Sequence, residues 1–365
     1  MTPAGRSARE LPAIRDDLGA LDGYHSAQVD VDVRLNTNES PLPPPAAWQE
    51  ALAEAVSKLD FHRYPDREAI ELRRALADSH GVTPEEIFCA NGSNEVLQCL
   101  LLAYGGADRA VALFEPTYTL HAHIARVTGT KVAAGPRRDD FALDLEVVTR
   151  VLADAEPVVT FLCSPNNPTG RADSAEELAA VADLAPGLLV VDEAYGQFAP
   201  SSALELRQRV PDGTRHVVVV RTFSKTWSMA AARLGYLIGP APVVEALERV
   251  ALPYHLDALK QAAGLLALRF VGEMEDRIGL IVRERQRLLA ALARLPVTAW
   301  PSQANFILFR PEQRKGAEVW QGLLDRSVLV RDTSTWPRLA NCLRVTVGTP
   351  EENDAFLSAL AEVLA

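Results

Sequence analysis

The stretch VVVVRTFSKTWSMAAARLGYLIG, residues 217–239, limits most strongly what this chain can fold into. Its first four residues, Val217 to Val220, are β-branched and leave no polar face, which predicts a strand buried in a parallel sheet. Polar residues follow, among them Lys225, and a second apolar run begins at Leu234, directly after Arg233. Lys225 is therefore predicted in a turn just past the strand, at the edge where open α/β sheets bind ligands.

The position of Lys225 allows two interpretations. A lysine that is partly desolvated at a sheet edge has a lowered pKa, and its neutral amine can attack an aldehyde. The alternative is a lysine on the solvated surface. The choice between them depends on which groups the rest of the chain brings to the same edge.

Two more predicted strands end in polar motifs. Val158 to Cys163 is followed by SPNNPTG, and Gly187 to Val191 is followed by DEAYGQF, which begins with Asp192. A buried Asp192 carboxylate is costly without a partner, and a cationic heteroaromatic nitrogen is a suitable one. A lysine amine and such a carboxylate are what pyridoxal phosphate needs, the first for its aldehyde and the second for its ring nitrogen.

The alternation of strands and helices predicts an α/β fold with two domains. A polar N-terminal arm, residues 1–30, precedes a large domain, residues 31–250, with a mostly parallel, doubly wound sheet. Residues 251–365 combine long amphipathic helices with short strands, which predicts a smaller α+β domain. The order of the first ten residues stays open.

Charge and cysteine content argue against several classes of function. The net charge of −11 argues against a nucleic-acid or anionic-membrane partner. No apolar run has the length of a membrane span or the character of a signal peptide, so we expect a cytoplasmic protein. The four cysteines are scattered in apolar contexts, as free thiols are. No metal site is expected, because His121 and His123 lie two residues apart and face different ways on a helix.

At the level of motifs, the chain resembles a known family. SPNNPTG, VDEAY and TFSKTWSMAAARLGY are similar to the pyridoxal-phosphate-dependent aminotransferases of fold type I, the class I/II superfamily, and the resemblance covers about residues 30–363 as one unit. Within that superfamily the chain resembles the histidinol-phosphate aminotransferases. The motifs of this closer resemblance are GYHSA (23–27), RLNTNESP (34–41), HRYPD (62–66), NGSNEVL (91–97), LPYHL (252–256) and LRVTVGT (343–349).

The resemblance implies a role for each candidate site residue that binds the cofactor, pyridoxal 5'-phosphate. Lys225 would carry the cofactor and act as general base and acid, and Asp192 would face its ring nitrogen. The remaining contacts to its phosphate, ring oxygen and ring face would come from Ser93, Asn94, Tyr118, Asn167, Tyr195, Ser224 and Arg233. The Gly-Ser turn before Asn94 also has a physical reason, because a helix start presents backbone N–H groups to a phosphate.

The resemblance also implies an anion pocket for the substrate and a homodimer. Tyr24, Asn38, Arg331 and Arg344 would bind the substrate, and Tyr64 would reach the cofactor phosphate of the partner subunit. From the residues alone, the tyrosines and arginines have ordinary alternatives: Tyr24 packs the arm, Tyr64 is a turn residue, and each arginine forms a plain salt bridge. Arginine suits carboxylate and phosphate because its planar fork donates two hydrogen bonds.

The implied reaction is transamination of L-histidinol phosphate with 2-oxoglutarate, which gives imidazole acetol phosphate and L-glutamate in histidine biosynthesis. Two alternatives stay open, an aromatic amino acid aminotransferase and a decarboxylase of a phosphorylated amino acid with the same cofactor. A ligand-sensing regulator is not favoured, since the short arm has no room for a DNA-binding domain. Two features depart from the pattern: Ala231 stands where many relatives have glycine, and Asp332 to Asn341 matches no motif.

Overall fold

The computed structural model describes residues 11–19, 21, 23, 27–209 and 216–365. Its strands are β1 (Val33–Leu35), β2 (Ile87–Ala90), β3 (Ala110–Glu115), β4 (Lys131–Pro136), β5 (Val159–Cys163), β6 (Leu188–Asp192), β7 (Val217–Thr222), β8 (Gly235–Ile238), β9 (Val297–Ala299), β10 (Phe306–Pro311), β11 (Val328–Asp332) and β12 (Leu343–Thr346). Its helices are α1 (Ala46–Ser57), α2 (Ile70–His80), α3 (Ser93–Tyr104), α4 (Thr119–Val127), α5 (Leu145–Ala155), α6 (Ala175–Leu184), α7 (Ala203–Arg209), α8 (Ala241–Val250), α9 (Ala258–Ala267), α10 (Val271–Leu292), α11 (Gly316–Leu324) and α12 (Pro350–Leu364). Short 3-10 turns lie at Pro84–Glu86, Gly196–Phe198 and Ala230–Ala232.

The larger sheet has seven strands in the order β2-β8-β7-β6-β5-β3-β4. Neighbouring strands are parallel except in the two pairs that involve β8. The predicted mostly parallel, doubly wound sheet of an α/β fold is therefore confirmed. The parallel pairs are joined by helices that cross from the end of one strand to the start of the next, which brings the carboxyl ends of β5, β6 and β7 to one edge.

Both faces of this sheet are covered by apolar cores. Val217 and Val219 of β7 belong to one core, which also receives side chains from α1, α2, α6 and α9. Val218 and Val220 belong to the opposite core, with side chains from α3, α4 and α8. This arrangement explains the four consecutive valines, because successive side chains of a strand point to opposite faces and both faces of the sheet are buried.

The smaller sheet has five strands in the order β1-β11-β12-β10-β9. Its core contains side chains of β10 to β12, of α11 and α12, and of the second half of α10. The strand β1 pairs in parallel with β11 and forms one edge of the smaller sheet, although β1 precedes the strands of the larger sheet in sequence. Conversely, Ala263, Leu266 and Met274 of α9 and early α10 pack in the core of the larger sheet.

The division of cores therefore differs from the predicted boundaries at residues 30/31 and 250/251. A strand of three residues is stable only on an existing sheet edge, and β11 offers that edge. We propose that the large unit covers about residues 37–277 and that β1 and about residues 278–365 form the small one. The strand β9 and the helix α7 were not predicted from the sequence.

In the described part of the chain, no helix has the length and apolar character that a bilayer crossing requires. The same residues contain no group of three or more histidine, cysteine, aspartate or glutamate side chains able to hold a metal ion.

A buried ion pair holds the loop after β5 against the turn after β4. Arg137 and Asp173 are each 2% exposed, and Arg137 Nη1 donates to Asp173 Oδ1 over 2.7 Å. The backbone N–H of Asp173 donates to Ser164 Oγ at the start of the SPNNPTG motif. The pair therefore fixes the position of the loop that carries Asn167.

We predict that Asp173→Ala lowers the free energy of unfolding by about 3–5 kcal/mol, because it leaves the Arg137 guanidinium buried without its counter-ion. Urea unfolding followed by circular dichroism measures the change. The control is Glu362→Ala, which removes an exposed ion pair with Arg326 and should change the free energy of unfolding by about 1 kcal/mol or less. Equal effects of the two substitutions would contradict the role of the buried pair.

Candidate active site

A cavity of about 340 Å³ opens at the carboxyl ends of β5, β6 and β7, between the two sheets. Of the predicted site residues that the structure describes, all but Tyr64 line it: the lining includes Asn38, Ser93, Asn94, Tyr118, Asn167, Asp192, Tyr195, Ser224, Lys225, Arg233, Arg331 and Arg344. Tyr24 lies outside the residues that the structure describes. The roles that the resemblance assigned to these residues stay predictions, and the geometry below describes where each side chain lies.

Lys225 lies in the turn after β7 and reaches into the cavity. Its Nζ atom donates to the carbonyl oxygen of Thr37 over 3.1 Å. Burial, together with the positive charge of Arg344, lowers the pKa of Lys225 to about 7, while Glu39 acts in the opposite direction. A large fraction of this amine is therefore neutral at neutral pH and can act as a nucleophile or a base.

Asp192, the last residue of β6, is 1% exposed, and each of its two carboxylate oxygens has a hydrogen-bond partner. Oδ1 accepts from the backbone N–H of Ala194 over 3.0 Å, and Oδ2 lies 3.1 Å from Nε2 of His121. His121 is itself buried and stacks on Phe161, with ring centroids 4.8 Å apart. The imidazole thus fixes the carboxylate in one orientation at the cavity wall.

Sequence reasoning missed this role of His121 and considered it only as a metal ligand. A usable signal was present: the sequence predicts a helix that begins at Tyr118, and a residue three positions on, here His121, is expected on the same face of such a helix. The two rings meet edge to face at 5.3 Å. Neither His121 nor His123 lines the cavity, so His121 acts on the site through its contact with Asp192.

Asn167, Tyr195 and Arg344 form a hydrogen-bonded group on the side of the smaller sheet. Asn167 Oδ1 accepts from Arg344 Nη1 over 2.5 Å, and Arg344 Nη2 donates to the carbonyl oxygen of Asn36 over 2.9 Å. The hydroxyl of Tyr195 accepts from Asn38 Nδ2 over 2.9 Å and lies 3.5 Å from Asn167 Nδ2. Burial raises the pKa of Tyr195, so its hydroxyl stays protonated and can donate a hydrogen bond.

The start of α3 and the turn before β8 form an anion cradle. Gly92 precedes α3 with a φ of +84°, and a Cβ atom there would come within 2.9 Å of Arg233 Nη2. A Cβ on Gly235 would lie 2.3 Å from the backbone nitrogen of Ser93. Arg233 Nη1 also donates to Ser224 Oγ over 3.4 Å. A helix N-terminus beside a guanidinium and two hydroxyls is a suitable phosphate site.

Ala231, where the family pattern led us to expect a glycine, fits this turn. It lies inside the 3-10 turn Ala230–Ala232, and the left-handed backbone of this stretch occurs at Ser228 and Arg233 instead. Its methyl group therefore requires no strained backbone and leaves the cradle formed.

The donor set fits pyridoxal phosphate. The cavity provides an amine of lowered pKa for the aldehyde, a buried carboxylate for the ring nitrogen, a phenol and an amide for the ring oxygen, and a cradle for the phosphate. These four groups surround one space of suitable size.

The fold and the cavity together define an enzyme of the pyridoxal-phosphate-dependent aminotransferase class. A family model described as aminotransferase class I and II matches residues 30–360. The histidinol-phosphate aminotransferase of Corynebacterium diphtheriae is 42% identical over 97% of both chains, and that of Mycobacterium leprae is 42% identical over 98% of this chain and 94% of its own. The crystal structure of histidinol-phosphate aminotransferase from Sinorhizobium meliloti in complex with pyridoxal-5'-phosphate superimposes with a TM-score of 0.83, at 26% identity, and covers 92% of this chain and 91% of that one. The chain belongs to the histidinol-phosphate aminotransferase family, as its motifs predicted.

Tyr64 does not line the cavity. Its side chain is 79% exposed, and its ring stacks on that of Tyr254 with centroids 4.4 Å apart. The HRYPD and LPYHL motifs, which are far apart in sequence, therefore meet on the surface.

We predict that the amine of Lys225 titrates near pH 7 in the cofactor-free protein, because burial favours its neutral form. Labelling of Lys225 by an amine-reactive reagent should rise with pH through about 7 and level off above about pH 8, since only the neutral amine reacts. Mass spectrometry of the Lys225 peptide measures the rate. In the urea-unfolded control the same lysine should titrate near its ordinary value of about 10.4. A midpoint near pH 10 in the folded protein would contradict the buried environment of this amine.

Proposed function

We propose that this protein transfers the amino group of L-histidinol phosphate to 2-oxoglutarate, with pyridoxal phosphate as cofactor, and forms imidazole acetol phosphate and L-glutamate in histidine biosynthesis. The observation that carries the substrate assignment is the register of β11 and β12, in which Arg331 and Arg344 are direct partners and both line the cavity beside Lys225. The full-length similarity to histidinol-phosphate aminotransferases supports it.

In this proposal, bound pyridoxal phosphate supplies an aldehyde that accepts the amino group and a ring that accepts electron density from the substrate's Cα. The neutral Nζ of Lys225 would take the proton from Cα of the donor and deliver it to the carbon that carried the cofactor's aldehyde, and the second half-reaction would run the same transfers in reverse. Asp192 would keep the proton on the ring nitrogen, and His121 keeps Asp192 in place. The Arg233 cradle would hold the phosphate of the cofactor.

The two arginines on β11 and β12 bind the anionic group of each substrate in turn. Arg344 is 4% exposed, and its bonds to Asn167 and Asn36 fix its guanidinium at the cavity wall. A substrate phosphate carries nearly two negative charges and more acceptor oxygens than a carboxylate, so it gains from a second guanidinium at Arg331. The same pocket then accepts a carboxylate of 2-oxoglutarate or glutamate.

The two alternative activities, an aromatic aminotransferase and a decarboxylase, would use the pocket differently. An aromatic amino acid carries one carboxylate and leaves the second guanidinium without a function. A decarboxylase would use the same cofactor residues with another bond of Cα aligned to the ring. The paired arginines and the similarity along the whole chain favour transamination of a phosphorylated donor.

We predict that L-histidinol phosphate has the highest kcat/KM in an amine-donor panel that includes phenylalanine and tyrosine, with glutamate formation from 2-oxoglutarate as the measurement. Arg344→Ala should reduce kcat/KM in both half-reactions, because loss of a buried charge-assisted fork costs roughly 2–5 kcal/mol. Arg310→Ala is the control: it removes an exposed arginine from the neighbouring strand β10 that does not line the cavity. A higher kcat/KM for phenylalanine or tyrosine would shift the assignment to an aromatic aminotransferase.

We further propose that the active unit is a homodimer with shared sites. Phe61, Tyr64 and Leu252 are more than two-thirds exposed, and the stacked rings of Tyr64 and Tyr254 join their segments into one apolar surface. An apolar surface of this kind is typical of an interface. A second copy of the chain would bury it and bring Tyr64 to the cofactor phosphate of its partner.

Mixing two inactive variants, Lys225→Ala and Tyr64→Ala, tests this arrangement. Hybrid dimers formed after partial unfolding contain one site with both defects and one site with neither. Random pairing in a twofold dimer should therefore restore about a quarter of the wild-type activity. Hybrids that form but stay inactive would show that Tyr64 serves its own subunit or none. Each variant carried alone through the same unfolding and refolding is the control.

A cytoplasmic location is also part of the proposal. All four cysteines are free thiols buried in the fold, which is typical of proteins from a reducing compartment.

A further inference from the structure

The segment between the two cavity arginines, which matched no sequence motif, is an ordered loop from β11 to β12. Thr333 donates from Oγ1 to the carbonyl oxygen of Cys342 over 2.8 Å and closes the loop across its base. Asp332 Oδ1 accepts from the backbone N–H of Ser334, and the N–H of Trp336 donates to the carbonyl oxygen of Thr333 over 2.9 Å. These bonds place Trp336 at a defined point above the strand ends.

One side of the Trp336 ring packs on an apolar cluster under the loop. The cluster consists of Phe141, Leu308, Leu339 and Cys342, with Trp300 against it. Trp336 also lines the cavity, where it lies next to Arg331. The Arg331 Cζ atom lies over the indole at 6.0 Å from the ring centroid, within the range of a cation–π contact.

This contact restricts the direction in which Arg331 binds an anion. The ring occupies one side of a guanidinium that lies over it, so an anion can approach the N–H groups only from the remaining directions. An indole that is anchored by its own cluster limits the rotamers of the long arginine side chain before the substrate arrives. Less conformational freedom is then lost on binding, which favours affinity.

We propose that Trp336 is a positioning residue for Arg331 and that it contributes in this way to the preference for a phosphorylated donor. The inference rests on the proposed function, since it assumes that Arg331 contacts the phosphate of the substrate. It assigns a role to the loop from Asp332 to Asn341, which matched no motif. It also separates two parts of the anion pocket: Asn167 and Asn36 hold Arg344, and Trp336 holds Arg331.

The test compares L-histidinol phosphate with L-histidinol, which differ only in the phosphate. Trp336→Leu should raise KM for histidinol phosphate by about fivefold, the loss expected for one cation–π contact, with kcat nearly unchanged. The same variant should leave kcat/KM for histidinol at the wild-type value. Trp336→Phe keeps an aromatic face and should stay within about twofold of wild type for both donors.

A double-mutant cycle shows whether Trp336 acts through Arg331. In an Arg331→Gln background, Trp336→Leu should cause no further change in KM, because the contact is already absent. Trp300→Leu is the matched control: Trp300 packs on the same cluster and lies under Arg310 at 5.5 Å, but it does not line the cavity. It should leave KM for histidinol phosphate unchanged. If Trp336→Leu does not fold, Trp336→Met replaces it.

The outcomes separate this inference from the proposed function. A wild-type enzyme with equal kcat/KM for histidinol and histidinol phosphate would overturn both. A wild-type enzyme that favours the phosphate, together with Trp336 variants that keep the full preference, would overturn the role of Trp336 alone. That role would also be wrong if Trp336→Leu raises KM equally in the Arg331→Gln background, or if Trp300→Leu has the same effect as Trp336→Leu.

Discussion

The parallel pairing of β5, β6 and β7 is the constraint on which the site depends. In this register Cys163 lies beside Asp192, and Asp192 lies beside Val220, so β5 and β6 end at one level and β7 ends two residues beyond it. The segments that follow them carry Asn167, Tyr195 and Lys225. Parallel strands are covered by helices on both faces, which exclude water from the sheet. Water is excluded in the same way from the polar groups at the ends of the strands. Burial therefore both builds the sheet and lowers the pKa of Lys225.

The smaller sheet adds what the larger one lacks, a pair of guanidinium groups. Arg331 and Arg344 lie on adjacent antiparallel strands in direct register. Each has a different support: Arg344 is fixed by amide and carbonyl oxygens, and Arg331 lies over an indole. The cradle at Arg233 and the pair of arginines thus belong to separate cores that meet at the cavity. A change in the loop between the arginines can alter the arginine pair without disturbing Lys225 or Asp192.

Buried polar groups at the site are supported by a second layer that the motifs do not contain. His121 holds Asp192, and the pair of Arg137 and Asp173 holds the loop of Asn167. None of these three supporting residues was predicted to act at the site. Their function depends on contacts between residues far apart in sequence, which a motif search along one segment does not detect. Such support is physically required, because a buried carboxylate or guanidinium without a partner is strongly unfavourable.

The sequence by itself determined the parallel sheet, the family and most of the residues that line the cavity. Val217 to Val220 are apolar on both faces, and polar motifs follow at each strand end, so local composition was sufficient for these predictions. Only the tertiary structure decided that β1 joins the smaller sheet, that early α10 packs on the larger core, and that Trp336 lies over Arg331. A three-residue strand or a single indole carries no periodic signal. Its position is set by the sheet edge or the side chain that it meets after the chain has folded.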